Sequence, residues 1–120
     1  MRTHLSNAFS FNMLERINQR IHAVPVSAEE ARAHLSYPEG FTCAIGHADT
    51  AHVVGTDLGL ELEACRIDVQ LQAGDILVVA QYRGPRLPEG ATVLPAGATI
   101  EYWVTTVEGG IAPDDRGWHQ

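Results

Sequence analysis

The chain contains no lysine: all eight of its basic side chains other than histidine are arginine. That absence removes a lysine-bearing phosphate loop, and no Gly-x-Gly-x-x-Gly fingerprint stands in for it. It also speaks against a hyperthermophile origin, where lysine and glutamate are enriched. Cysteine is scarce. Cys43 and Cys65 are too few for a disulfide framework and lack Cys-x-x-Cys spacing, so two reduced, buried thiols are expected. Long apolar runs are missing as well; the longest, Ile76-Leu77-Val78-Val79-Ala80, falls far short of the roughly 20 residues that span a bilayer. No charged-then-apolar leader follows Met1, so a cytoplasmic protein without a membrane partner is expected. Positive charge is in deficit, with a net charge of −7. Such a surface does not grip long DNA or RNA, although one local pocket could still hold a small anion.

What is present suits one globular domain. The 120 residues, 45% of them hydrophobic and 19% charged, can bury a core without metal or disulfide help. Residues 1–108 are expected to form the domain and residues 109–120, with only Ile111 and Trp118 to pack, a loosely held tail. Thr3-His4-Leu5 reads as a short strand. Ser10 is placed to cap a helix over Phe11 to Gln19, with Leu14 and Ile17 on its inner face. Ile21 to Val26 reads as a strand that Pro25 confines to an edge or an end. Ser27-Ala28-Glu29-Glu30 is a capping box opening a helix to Leu35. Phe41 to Ile45 reads as a compact strand, and Asp49 to about Leu58 as a helix burying Ala51, Val54 and Leu58 and ending near Gly59.

Cys65, Ile67, Val69 and Leu71 alternate with Arg66, Asp68 and Gln70, the pattern of a half-buried strand. Ala73-Gly74-Asp75 turns the chain into Ile76 to Tyr82, apolar enough for a central strand. Arg83 to Gly90 holds two prolines and two glycines and must be a loop, before a last strand from Thr99 to Val107. The sum is an α/β fold: a single-domain mixed sheet of about five strands with short helices packed on it.

Three polar segments flank these strands: Ser6-Asn7-Ala8-Phe9-Ser10-Phe11-Asn12, Gly46-His47-Ala48-Asp49-Thr50 and Arg86-Leu87-Pro88-Glu89. The second sets a titratable imidazole at the N-terminus of a helix, where unpaired N–H groups and the dipole favour anions. Taken singly, each segment has a plainer use: Asn7 and Ser10 as turn and cap residues, His47 as a turn histidine, Arg86 and Glu89 as a solvated ion pair. No metal is expected, since His47 and His52, five apart on a helix, point about 140° away from each other. A Ser-His-Asp triad is possible by composition but has no Gly-x-Ser-x-Gly elbow.

Taken together, Leu5-Ser6-Asn7-Ala8-Phe9-Ser10-Phe11-Asn12-Met13-Leu14, Ala44-Ile45-Gly46-His47-Ala48-Asp49-Thr50 and Arg86-Leu87-Pro88-Glu89-Gly90 resemble the type III anti-CRISPR ring nuclease family. That family comprises small proteins of archaeal viruses and phages and bacterial relatives carried beside CRISPR loci. The resemblance runs from about Thr3 to Val107. It implies a homodimer, with the ligand at the subunit interface, that cuts the second messenger cyclic tetra-adenylate without metal or cofactor. By matching position, His47 would be the general acid, Glu89 would orient it or favour its protonated form, Arg86 would contact phosphate, and Asn7, Ser10, Asn12 and Gly46 would hold the substrate. The chain departs from the viral pattern in two places. Arg83-Gly84-Pro85 lengthens the loop, so Arg83 could share or take the part of Arg86, and Ala91 to Ala98 replaces a helix expected before the last strand. A cyclic-oligonucleotide-binding protein that does not cut, or a structural interaction domain in which His47 is only a turn residue, are the competing expectations.

Overall fold

In a computed structural model, which describes residues 2–108, the chain forms a five-stranded mixed sheet with two helices packed on one face. The strands are β1 (Thr3–Ser6), β2 (Ile21–Val26), β3 (Thr42–Cys43), β4 (Ile76–Arg83) and β5 (Thr99–Val107), in the order β2-β5-β4-β1-β3. The helices are α1 (Ala28–His34) and α2 (Ala48–Leu58). β1 runs parallel to both β3 and β4, whereas β5 is antiparallel to β4 and to β2. The apolar β4 is indeed interior, and Pro25 lies on the edge strand β2, where a missing N–H costs no ladder bond.

Alternation along the strands makes two cores. Leu5, Ile76, Val78, Ala80, Tyr102 and Val104 face the helices and meet Ala31, Leu35, Ala51, Val54 and Leu58. Leu77, Val79 and Val107 face the other way, covered by Val69 and Leu71 with Phe9, Met13 and Leu14 at their margin. Both helices start and stop where the sequence says. Ser27 and Glu30 close the capping box reciprocally at 3.1 Å each, and the N–H that Glu30 accepts from Ser27 holds its carboxyl below the usual range. α2 is tied to the sheet by the Tyr102 hydroxyl, which donates to Asp57 at 2.6 Å. Burial, followed by that bond, pushes the phenol well above its ordinary pKa.

Four expectations need correction. The helix over Phe11 to Gln19 is only a 3₁₀ turn, Phe11–Met13, capped by Ser10 as expected and ended by an extended Leu14. Here Met13 gives its carbonyl to Leu71 at 2.7 Å, which holds it against the second core instead of in a helical ladder. The third strand shrinks from Phe41–Ile45 to Thr42–Cys43. The alternating segment Cys65 to Leu71 is no strand at all. It leaves the β3 edge after a single bond, Cys65 N–H to the Ile45 carbonyl, and crosses to the 3₁₀ turn, so that Val69 and Leu71 are buried while Ile67 stays 42% exposed. The cysteines are accordingly less covered than expected, Cys43 half-buried and Cys65 exposed. The expected tail, residues 109–120, lies outside the described residues.

Gly55 marks a tight crossing. After α2 ends at Gly59 (φ 73°), the chain folds back so that a Cβ on Gly55 would lie 2.6 Å from the Leu60 carbonyl oxygen. A mid-helix Gly→Ala change ordinarily stabilises by about 1 kcal/mol. Here overpacking against backbone reverses the sign, and Gly55→Ala is expected to lower stability by about 1–3 kcal/mol in urea denaturation; a raised midpoint would contradict the crossing.

Candidate functional site

Because β1, β3 and β4 are parallel, their C-terminal ends share one edge of the sheet. In open α/β sheets that edge is where ligands bind. The three polar segments leave from it: residues 7–12 after β1, residues 44–50 after β3, and residues 84–90 after β4. β4 outruns β1, whose last residue Ser6 pairs with Val79, so Ala80 to Arg83 continue beside β5 alone. The chain then comes back, and the Gly90 N–H donates to Asp49 Oδ1 at 3.2 Å on the first turn of α2.

Along this edge lies a cavity of about 390 Å³ lined by Ser6, Ser10, Asn12, Met13, Ala44 and the segment Ile67 to Gln70. Ser6 shapes its rim by a turn in which its hydroxyl donates to the Ala8 carbonyl at 3.0 Å and accepts the Ala8 N–H at 3.3 Å. Ser10 accepts the Asn12 N–H at 3.2 Å, and Gln70 donates to the Asn12 carbonyl at 3.2 Å, which fastens the far wall. Asn7 follows β1 directly and is half-buried.

His47 is the N-cap residue of α2, exposed, and its imidazole makes no capping bond, so the first N–H groups of the helix stay free of that side chain. Beside it lies Arg66, whose Nε donates to the Gly46 carbonyl at 3.3 Å. A Cβ at Gly46 would stand 3.1 Å from Arg66 Cγ, so the glycine lets the arginine stem lie against the turn. A guanidinium, a helix N-terminus and an unengaged imidazole thus share one exposed place suited to a phosphate. Among the described residues no three His, Cys, Asp or Glu side chains gather as a metal-ligand set. Nor is any helix among them long and apolar enough to cross a membrane.

The expected site residues are therefore brought to one edge, and among the described residues this cavity takes in only part of the set. Ser10 and Asn12 line the cavity; His47, Arg86 and Glu89 do not. Arg86 and Glu89 form no ion pair with each other, which removes their plainest use. Arg83, the expected substitute for Arg86, is engaged by Glu101 at 2.9 Å. Sequence reasoning missed Arg66, Asp68 and Gln70, assigning them to the solvent face of a strand. The signal was that same polar alternation, once the segment crosses the sheet instead of extending it.

A model of the family described as STIV B116-like matches residues 3–98. Among solved structures the chain is similar to B116 of Sulfolobus turreted icosahedral virus, at 26% identity and a TM-score of 0.77, over 88% of this chain and 99% of that one. No curated protein matches.

Arg66, Arg86 and Glu89 are exposed and carry little of the fold. Changing each to alanine is expected to shift unfolding free energy by less than about 0.5 kcal/mol, measured by urea denaturation. A loss of about 2 kcal/mol at any of them would mark that residue as structural.

Proposed function

The chain belongs to the STIV B116-like family, and from that premise we propose that it is a metal-independent ring nuclease acting on cyclic tetra-adenylate, working as a homodimer with the ring at the subunit interface. The observation that carries this reading is the convergence of the Asn7–Asn12, Gly46–Thr50 and Arg86–Gly90 segments on the C-terminal edge of β1, β3 and β4. RNA brings its own nucleophile. The 2′-hydroxyl oxygen bonds to phosphorus, its proton goes to solvent, and the bond from phosphorus to the 5′-oxygen breaks. The protein has to align the ribose, stabilise charge on the phosphate and supply one proton.

In this reading His47 gives its proton to the departing 5′-oxygen, leaving a 5′-hydroxyl on one side and a 2′,3′-cyclic phosphate on the other. Glu89, carried by the loop tied to Asp49, orients the imidazolium. Arg86 contacts phosphate, and Arg66, already lying against Gly46, shares that charge. Asn7, Ser10, Asn12 and Gly46 hold and align the ribose. Two cuts turn the ring into two linear di-adenylates. A two-fold dimer suits a ring of four equivalent nucleotides, since each protomer presents the same half-site. Phe11, 80% exposed, and Ile67, 42% exposed, stand next to the cavity as apolar surface that a second protomer would cover.

One observation favours sequestration without cutting: the cavity lined by Ser10 and Asn12 does not include His47. The two readings separate on incubation with cyclic tetra-adenylate in the presence of a chelator. The nuclease yields linear di-adenylates, His47→Ala slows their formation by about 10²–10⁴-fold with binding retained, and Glu89→Ala reduces cleavage more than affinity. Binding without products would establish the sequestering protein, and neither binding nor products would exclude both.

A further inference from the structure

Between β4 and β5 lie residues 84–98, a connection with neither helix nor strand of its own. Such a loop is placed by what it touches. Two local turns punctuate it, with the Ala91 N–H donating to the Pro88 carbonyl and the Ala98 N–H to the Pro95 carbonyl, each at 3.1 Å. They shape the loop without saying where it lies. Two side chains of α2 do that. Asp49 Oδ1 accepts the Gly90 N–H at 3.2 Å, and the Thr56 hydroxyl donates to the Thr92 carbonyl at 2.6 Å. Residues seven apart on a helix lie about 20° from each other around the axis and about 10 Å along it, so both bonds come from one stripe of α2. Gly90 has φ 78°, and a Cβ there would meet nothing within 4 Å. The glycine therefore serves the left-handed turn that aims its N–H at Asp49, and not a close approach.

We infer that Asp49 is a positioning residue: with Thr56 it clamps the Pro88–Ala91 turn onto α2, which sets Glu89 beside the helix end that His47 caps. Asp49 is two residues beyond His47, and Gly90 directly follows Glu89, so one hydrogen bond between residues 41 apart in sequence ties the neighbour of Glu89 to the first turn of the helix that begins after His47. The catalytic consequence rests on the nuclease reading; the clamp itself rests on geometry alone. Asp49 has a plainer use too, since a carboxylate in the first turn favours the helix dipole. That use needs the charge, whereas the clamp needs only an acceptor, so asparagine tells them apart from alanine.

The test pairs hydrogen exchange at the Gly90 amide, followed by NMR, with cleavage kinetics on cyclic tetra-adenylate. The amide is expected to be protected in the unaltered protein and in Asp49→Asn, and to exchange about 10-fold faster in Asp49→Ala. Asp49→Ala is expected to lower kcat about 10-fold with KM within about 2-fold, Asp49→Asn to restore it, and Asp49→Ala to add nothing to Glu89→Ala. An unprotected Gly90 amide in the unaltered protein, an asparagine variant behaving like alanine, or a full additional loss in the Glu89→Ala background would each overturn the clamp. If the unaltered protein does not cleave, the nuclease reading falls, and the exchange data alone decide whether Asp49 holds the loop.

Discussion

The parallel pairing of β1 with both β3 and β4 sets where every functional candidate in this fold can lie. Parallel strands need long crossovers, and a crossover must leave from one end of the sheet and return to the other. Every segment that follows β1, β3 or β4 therefore starts at the same edge. The polar runs need no attraction for one another to become neighbours; the direction of the strands is enough. Had β4 paired antiparallel to β1, the Arg86–Glu89 loop would have left from the opposite edge, away from His47.

α2 supplies the second half of the arrangement. Its buried stripe of Ala51, Val54 and Leu58 fixes the helix on the sheet, and the bond from Tyr102 to Asp57 ties it to β5. With the helix fixed, its N-terminus is a rigid place from which His47 projects, and its side carries the two bonds that hold the long β4–β5 connection. Hydrophobic packing thus determines where a solvent-exposed imidazole stands. The opposite face of the sheet is thinner. It is covered by a 3₁₀ turn and an irregular segment in place of helices, and this looseness leaves room for the cavity beside Ser10 and Asn12.

Legibility followed the range of the interactions. The Ser27–Glu30 capping box, the Gly59 terminus, the apolar β4 and the Pro25 edge are each set by groups within a few residues, and each can be read from the sequence. The two largest errors share one cause. Phe11 to Gln19 has helical periodicity and Cys65 to Leu71 strand periodicity, but the carbonyl of Met13 and the N–H of Leu71 bond to each other, and neither segment completes its own ladder. Arg66, Asp68 and Gln70 were misplaced along with the second of these.

The candidate residues, the inward faces of β4 and of both helices, and the helix ends can be read from the chain alone, because cap chemistry, turn chemistry and side-chain periodicity act over short stretches. Tertiary structure decided which of those residues meet. Strand direction placed three segments on one edge, register across β4 and β5 gave Arg83 a surface partner in Glu101, and the contact of Asp49 with Gly90 brought the Glu89 loop to the His47 helix. Those outcomes depend on groups tens of residues apart, whose encounter follows from the packing of the whole sheet and leaves no local mark on the chain.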